Sequence, residues 1–246
     1  MKKALILTLV VCMAFVIVSC KNEPEHEHSY ENKWLKVGDE YVCKKVCVCG
    51  DDQGEVKVTI GMAGPAGGLI FAIAEDYSAG YRYLEVAPQD VTVGSTETFM
   101  FGYYRKDAEG ENLFINDSKT YDENCTGTAV GKGAENTRLL VETIGSEVYT
   151  ATTGEAKTAN YAAKLAYDYT YGGYDDWFLP SKDELNLLYT NLGSVGLGGF
   201  NDDNYYWSSS EGNGGPFFAW QQRLSDGVQK GYNRNNLYRV RCIRAF

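Results

Sequence analysis

The amino-acid sequence predicts an α+β fold, with a few helices and hairpin-forming strands joined by long loops. Ser181 follows a proline and precedes Glu184 by three residues, a pattern in which the two side chains cap the start of a helix. Phe217–Leu224 and Val228–Tyr232 flank Ser225-Asp226-Gly227, which is a typical hairpin turn between two strands. Helices and antiparallel hairpins in separate parts of a chain are typical of the α+β class.

The elements before this region follow from composition and spacing. We expect strands at Val56–Ile60, Leu69–Ala74 and Arg82–Ala87, with the glycine-rich run Gly64–Gly68 as the turn between the first two. The glycine-rich run lacks the lysine-serine or lysine-threonine pair of a phosphate-binding loop, so we interpret it as a turn only. Ala156–Tyr169 has apolar residues at helical spacing and predicts an amphipathic helix.

A second helix and a final strand complete the predicted fold. The capping pattern places this helix at Lys182–Asn191, with Gly193 as its stop. Near the end of the chain, Val240 and Cys242 alternate with two arginines, as in a strand with one buried face. The chain is therefore expected to end in a core strand.

The N-terminus has the pattern of a signal peptide, predicted at residues 1–20. Two lysines precede the apolar run Ala4–Val18, which is shorter than the roughly 20 residues that span a bilayer, and Ser19 is a small residue before the cleavage point. The spacing resembles a bacterial lipobox, which implies that Cys20 is diacylated and that its lipid anchors the protein to a membrane. By the same resemblance, Lys21 favours the outer membrane, with the domain at the cell surface or facing the periplasm.

The charge argues against nucleic acid as a partner. Removing Lys2 and Lys3 from the 23 basic residues leaves 21 against 33 acidic ones, a net charge near −12, whereas nucleic-acid-binding domains usually carry a basic surface. From Trp220 to Phe246, however, six cations accompany one acidic residue. This segment could form a local basic face, or its arginines could pair with carboxylates and lie over a sheet.

Residues 21–54 form a small segment and linker that precede the main domain, predicted at residues 55–246. The segment contains five candidate metal ligands, which are His26, His28, Cys43, Cys47 and Cys49. Zinc takes four nitrogen or sulfur ligands in a tetrahedron, so such a set could bind zinc. A disulfide among the cysteines is equally natural in an oxidising compartment, and unpaired thiols are a third alternative. In the main domain, Cys125 and Cys242 are expected to pair as a disulfide, because exported domains most often pair two thiols.

Three ordered motifs in the last third of the chain carry a family resemblance. G-G-Y-D-D-W-F-L-P-S-K-D-E-L from Gly172, Y-W-S-S-S-E from Tyr206 and Y-R-V-R-C-I-R from Tyr238 resemble the C-terminal domain of the Legionella collagen-like adhesin. They are also similar to the Fibrobacter major paralogous domain. With Gly64–Phe71 and Tyr83–Pro88, the resemblance extends over roughly residues 55 to 246. It implies a C-type-lectin-like domain with two helices, antiparallel strands and long loops.

The same resemblance implies a surface lipoprotein that acts as an adhesin for a glycan or a host protein. The resembled adhesin is associated with sulfated glycosaminoglycans, which would need the local basic face. Aromatic faces stack on sugars and side-chain donors bind hydroxyls, so we expect ligand contacts in and near residues 193–215, at Tyr205, Trp220, Arg223, Arg234 and Arg239. Trp177 and Trp207 are expected in the core. The alternative is a structural envelope lipoprotein without a soluble ligand.

Calcium is a candidate ion, and catalysis is not expected. C-type lectins hold calcium with carboxylate and amide oxygens ahead of a strand, and Asp202, Asp203 and Asn204 precede Tyr205 in this way, although they could also be a plain acidic loop. The sugar-selecting E-P-N or Q-P-D tripeptide is absent. The main domain has no histidine for Ser-His or Cys-His catalysis. Its cysteine contexts do not match formylglycine-generating enzymes, which share the superfold and are the less favoured alternative.

Overall fold

The computed structural model describes residues 27–102, 105–106, 112–113, 126–145, 160–201, 203–212 and 218–246. These residues combine a few helices with small antiparallel sheets, so the α+β prediction is confirmed. The helices are α1 (Gly133–Ile144), α2 (Ala162–Tyr167) and α3 (Lys182–Asn191), and a 3₁₀ turn follows at Gly193–Val195. The strands are β1 (Tyr30–Val37), β2 (Glu40–Cys47), β3 (Asp52–Glu55), β4 (Leu69–Ile73), β5 (Tyr83–Val86), β6 (Arg105–Lys106), β7 (Asn112–Leu113), β8 (Tyr205–Glu211), β9 (Phe218–Arg223), β10 (Gln229–Asn233) and β11 (Ile243–Ala245). No helix within these ranges has the length and apolar character that a membrane span requires.

The strands form antiparallel sheets in the orders β1-β2-β3, β11-β5-β4 and β10-β9-β8, with a two-stranded β6-β7 pair. Two buried clusters fill the space between the sheets and the helices. One contains Trp177 and Trp207, as the sequence predicted. The other joins Leu185 and Leu188 of α3 to apolar side chains of β4, β5 and β11.

The start of α3 has the predicted capping box. The backbone N–H of Glu184 donates to the Ser181 hydroxyl, and the Glu184 carboxylate accepts from the Ser181 N–H at 2.7 Å. The helix ends at Asn191, and the chain continues into the 3₁₀ turn instead of stopping at Gly193. Gly193 lies so close to Leu224 that an added Cβ would meet the Leu224 carbonyl oxygen at 2.7 Å. This glycine is therefore required by close packing rather than by a helix stop.

The structure describes three helices where two were predicted. The additional helix, α1, was missed because its buried face includes the polar residues Asn136 and Thr137, which weaken the apolar pattern. Both are satisfied in the core: the Asn136 amide bonds the backbone of Gly127, and the Thr137 hydroxyl donates to the Gly133 carbonyl. Helix α2 is shorter than predicted from 156–169, and residues 156–159 of that range lie outside the described residues.

The predicted strand Val56–Ile60 is wrong. The upstream segment pairs with β4 only further along, where the Gly61 N–H donates to the Ile70 carbonyl and the Ile70 N–H donates to the Met62 carbonyl, both at 2.8 Å. Val56 still pairs with β2, since its N–H donates to the Cys43 carbonyl at 2.7 Å, but the side chains from Val56 to Ile60 are not buried and the strand does not continue.

The turn at Gly64–Gly68 is confirmed, and a carboxylate of the same chain lies in it. The N–H groups of Ala66 and Gly68 donate to the Glu85 carboxylate, with the closest contact at 2.8 Å. Glu85 is fully buried, and burial raises the pKa of its carboxyl, while these N–H groups and Arg244 act in the opposite direction. The backbone N–H groups of this glycine-rich turn therefore bind a carboxylate of the same chain.

The segment Val240–Arg244 is buried on both of its faces, whereas the sequence predicted only one buried face. Val240, Arg241, Cys242, Ile243 and Arg244 are all at most 2% exposed. The prediction was wrong because Arg241 and Arg244 are paired with carboxylates inside the domain and are not exposed to solvent.

The N-terminal sheet β1-β2-β3 packs on the end of the chain. The Trp34 ring lies 5.5 Å from the ring of Phe246, the Tyr41 ring lies 4.9 Å from it, and the Trp34 indole donates to the Ala63 carbonyl at 2.9 Å. The boundary predicted after residue 54 falls inside β3, which ends at Glu55.

Candidate functional site

The sheet β10-β9-β8 presents one face that carries exposed aromatic groups. The cross-strand partners are Tyr205 with Arg223, Trp207 with Gln221, Gln221 with Lys230, and Tyr232 with Ala219. Because partners in an antiparallel pair point to the same side, these residues share one face. Trp207 forms the buried floor of that face.

Tyr238 packs on the same face, although it lies outside the three strands. Its ring centroid is 4.7 Å from that of Trp207 and 5.6 Å from that of Tyr205. Burial raises the pKa of Tyr238, while the polar groups of Gln221 and Asn236 beside it act in the opposite direction. Tyr205 and Tyr238 are half-buried and Tyr232 is 47% exposed. We call Tyr205, Tyr232 and Tyr238 the tyrosine face.

Buried polar atoms lie beside the tyrosine face without a partner among the described residues. These are Gln221 Oε1, Asn236 Nδ2 and Arg234 Nε. Buried polar atoms are usually hydrogen-bonded, and an ordered water is the partner that these atoms can reach, because they have almost no accessible surface. Sequence reasoning missed Gln221, Asn236 and Tyr238, since only the tertiary structure brings them beside Tyr205.

Arg223 lies at the edge of the tyrosine face, but its charge is compensated. Its guanidinium lies 5.4 Å from the centre of the Tyr205 ring and forms a two-pronged ion pair with Asp226. The hydrogen bond from Arg223 lowers the pKa of Asp226 to about 2. Tyr205 and Arg223 are the two predicted ligand residues that the structure places side by side.

Arg234 and Arg239 lie in ion pairs instead of at a free surface. Arg234 is 5% exposed and pairs with Glu211, while Arg239 donates to Asp90 at 3.0 Å and to Glu97 at 2.7 Å. The expectation that they contact a ligand is not supported, because their charges are already neutralised. Of the six cations between Trp220 and Phe246, the five arginines are paired with carboxylates, which agrees with the alternative to a basic face. Lys230 is exposed on β10.

Trp220 lies on the opposite face of the sheet from Tyr205. It is paired with Gly231 across the strands, and the Lys182 ammonium lies 4.9 Å from the ring centre. Its ring is therefore half-buried against α3 rather than adjacent to the tyrosine face. The five predicted ligand residues thus do not converge on one site.

A group of side chains that could bind a metal lies at the end of the N-terminal hairpin. The ligand atoms of His28, Cys47 and Cys49 lie within 4.8 Å of one another, and His28 Nδ1 is 3.4 Å from Cys49 Sγ. Zinc takes nitrogen at about 2.0 to 2.1 Å and sulfur at about 2.3 Å in a tetrahedron, so ligand atoms at this spacing could bind a metal after small shifts.

The strand register explains why these three residues meet. β1 and β2 pair antiparallel with Tyr30 opposite Cys47, so the chain before β1 runs beside the chain after β2, and His28 comes opposite Cys49. A tight turn, in which the Gly50 N–H donates to the Cys47 carbonyl, returns Cys49 toward the histidine. The His28 ring stacks on Tyr30 with centroids 5.7 Å apart.

Cys43 does not belong to this group. It lies opposite Trp34 on β2, four residues from Cys47, which is about 13 Å along a strand. Cys43 is 2% exposed, and burial raises the pKa of its thiol. The C-x3-C spacing was read as ligand spacing, but on an extended strand it separates the two sulfurs. No two of the described cysteines are joined in a disulfide.

Several predicted site residues lie outside the described residues, namely Cys20, His26, Cys125 and Asp202. The lipidation site and the Cys125 to Cys242 disulfide therefore stay predictions. Cys242 itself is fully buried, and burial raises the pKa of its thiol.

The calcium site also stays a prediction. Asn201 Oδ1 accepts from the Asp203 N–H at 3.1 Å, which closes a local turn, and Asn204 is half-buried. Within the described residues, the carboxylates here do not converge as His28, Cys47 and Cys49 do.

Small antiparallel sheets and a few helices define an α+β domain. The chain belongs to the Lcl C-terminal domain family, which matches residues 121–244, about half of the chain. This family match is consistent with an adhesin-like surface domain. The match includes β8, β9 and β10, and it confirms the resemblance drawn from the motifs. The metal-binding group lies outside it. A comparison with curated proteins gave no match.

Proposed function

We propose that the protein is a lipid-anchored surface or outer-membrane protein whose C-type-lectin-like domain binds a glycan through the tyrosine face. The observation that carries this proposal is the convergence of Tyr205, Tyr232 and Tyr238 on one side of the sheet β10-β9-β8, with the side chains of Gln221 and Asn236 beside Tyr238. Aromatic rings bind the apolar faces of sugars, and polar atoms beside them bind hydroxyls. We propose ligand binding, and no catalytic activity, for this domain.

The charges favour an uncharged glycan segment over a sulfated one. A sulfated glycosaminoglycan needs uncompensated cations, and the arginines of the last segment are held by carboxylates. Around the tyrosine face, Lys230 is the described cation without an ion pair, and one exposed lysine is a weak basis for binding a polyanion.

Tyr205→Ala should weaken binding to the glycans that the wild-type protein selects on an array by about tenfold, because about 1.4 kcal/mol of stacking is lost. Tyr205→Phe keeps the ring and should retain most of the affinity. The array is run with and without calcium, which also tests the ion predicted at Asp202, Asp203 and Asn204. Equal affinity of wild type and Tyr205→Ala would contradict the assignment of this face.

Lys230→Ala should leave glycan binding unchanged. Loss of glycan binding in Lys230→Ala would instead favour a sulfated ligand. An array without any binding would favour a structural envelope lipoprotein.

We further propose that His28, Cys47 and Cys49 bind zinc as a structural ion, with His26 as the fourth ligand predicted from the sequence. The imidazole and thiolate donors are those that zinc prefers. An ion at this point would hold the open ends of β1 and β2 together next to the chain that leads to the lipid anchor.

Cys49→Ser should abolish zinc binding, because it removes one thiolate of a four-ligand site. The measurement is metal stoichiometry of the purified mature protein by competition with a chromophoric chelator, and we expect about one zinc per chain. Cys43→Ser is the matched control: it should reduce stability, since Cys43 is buried, but keep the stoichiometry. Zinc retained by Cys49→Ser, or lost only in Cys43→Ser, would refute the assignment.

A further inference from the structure

Two adjacent cavities that are wide open to solvent lie along the loop at residues 170–178, and the first also borders α1 and the end of α2. The first, of about 470 Å³, is lined by Arg138, Tyr167, Asp175, Asp176 and Trp177 among others. The second, of about 580 Å³, is lined by residues 170–175. Both volumes are in the range of small-molecule sites, and Asp175 lines both cavities. We call the two together the Asp175 cleft.

Asp175 carries an uncompensated charge in this cleft. Its neighbour Asp176 is held by the Arg244 guanidinium through two hydrogen bonds, at 2.7 and 2.8 Å. Arg138, the cation of the cleft, is paired with Glu142 at 2.6 Å. Asp175 is exposed and makes neither a hydrogen bond nor an ion pair with any described residue. The cleft therefore presents one free negative charge.

Aromatic rings flank this carboxylate on both sides. Tyr167 is 51% exposed in the first cavity, and Tyr171 is 38% exposed in the second. Trp177 lies behind the first cavity, with the Tyr169 ring against it at 5.6 Å. An exposed tyrosine next to a free carboxylate favours a ligand that has both an apolar face and a positive charge.

The second cavity is preformed by a rigid turn. Tyr171 and Tyr174 exchange two backbone hydrogen bonds at 3.0 Å around Gly172 and Gly173. Both glycines have positive φ, and an added Cβ on Gly172 would meet the Ala66 carbonyl oxygen at 2.2 Å. A rigid wall binds a ligand with little ordering cost.

We propose that the Asp175 cleft is a binding site for an amino sugar, with the sugar ring against Tyr167 and the ammonium group against Asp175. A sulfated or phosphorylated sugar would be repelled by this carboxylate, and a neutral sugar would not gain an ion pair with it. A hexosamine with a free amino group satisfies both the ring and the charge. The cleft involves none of the residues of the tyrosine face, so the two sites can be tested independently.

The probe is chitotriose with free amino groups, and its fully N-acetylated form is the comparison. Binding to the mature protein is followed by NMR shift perturbation and calorimetry at about pH 5.5, where the amines are charged and an ordinary aspartate is ionised. The wild-type protein should bind the free-amine sugar at least about fivefold more tightly than the acetylated one. Asp175→Asn should remove this preference, and Tyr167→Ala should weaken binding of both sugars.

Glu75→Gln is the matched control, since Glu75 is an exposed carboxylate on a different loop, after β4. It should keep the preference, and so should Tyr205→Ala. No shifts at residues 167–177, equal affinity for the two sugars, or the same loss in Glu75→Gln as in Asp175→Asn would overturn the proposal. Binding that is lost in Tyr205→Ala but kept in Asp175→Asn would overturn it while supporting the tyrosine face.

Discussion

Trp207→Ala is expected to lower the free energy of unfolding by about 3 to 5 kcal/mol, the range for truncating a buried aromatic side chain. Trp207 is fully buried, and its indole donates to the Phe99 carbonyl at 2.7 Å. Its ring contacts Tyr238 and Phe101 at centroid distances of 4.7 and 5.6 Å. Alanine would leave a cavity under the tyrosine face and would remove one of the two hydrogen bonds that the Phe99 carbonyl accepts, the other coming from the Tyr238 N–H at 3.0 Å. Urea denaturation of the mature protein, followed by tyrosine and tryptophan fluorescence, measures the loss.

Trp220→Ala is the matched control for this prediction. Trp220 is half-buried on the other face of the same sheet, with the Lys182 ammonium over its ring. Trp220→Ala should lower the free energy of unfolding clearly less than Trp207→Ala does, because water can fill the space that the Trp220 ring leaves. Equal losses for the two variants would show that Trp207 is not the floor of the sheet.

Asp90→Ala is expected to lower the free energy of unfolding by about 3 to 5 kcal/mol, because it leaves the buried Arg241 cation without its counter-charge. The Asp90 carboxylate accepts from Arg241 at 2.6 Å, from Arg239 at 3.0 Å and from the Tyr206 hydroxyl at 3.0 Å. Arg241 is 2% exposed and also donates to the carbonyls of Gly198 and Gly199. Asp90 therefore holds Arg241 in place, and Arg241 in turn binds the backbone of the loop before β8. Chemical denaturation at low and high salt measures the effect.

Asp226→Ala tests whether burial is the reason. Asp226 also pairs with an arginine, but this pair is exposed and screened by solvent. Its removal should change stability much less than Asp90→Ala, and the change should shrink further in high salt. A loss in Asp90→Ala that salt abolishes would mean that the Asp90 pairs are not buried in solution.

Local signals in the sequence were reliable where a few neighbouring residues decide the structure. The capping box of Ser181 and Glu184 and the hairpin around Asp226 could be predicted because each depends on contacts within a few residues. The N-terminal hairpin carried the same kind of signal, the two-residue turn Gly38-Asp39 between β1 and β2, and was overlooked. With that register, the approach of His28 to Cys49 and the exclusion of Cys43 could also have been predicted.

The arginines show where sequence reasoning had to stop. Alternation of Val240 and Cys242 with two arginines predicted a strand with one buried face, and the arginines were left as either a basic face or partners of carboxylates. The structure has Arg241 and Arg244 buried among carboxylates. Arg239 and Asp90 are 149 residues apart in the chain, so no local pattern could pair them. The same reasoning applies to Arg234 and Glu211.

By itself, the sequence determined the α+β class, the helix start at Ser181, the β9 to β10 hairpin and the family. These features follow from side-chain and backbone interactions over a few residues, or from motifs in a fixed order. Only the tertiary structure decided which charges remain free and which aromatic rings meet. It pairs the arginines with carboxylates, places Tyr238 against Tyr205 and leaves Asp175 without a partner among the described residues, because electrostatic pairing and ring packing depend on distances between residues far apart in the chain.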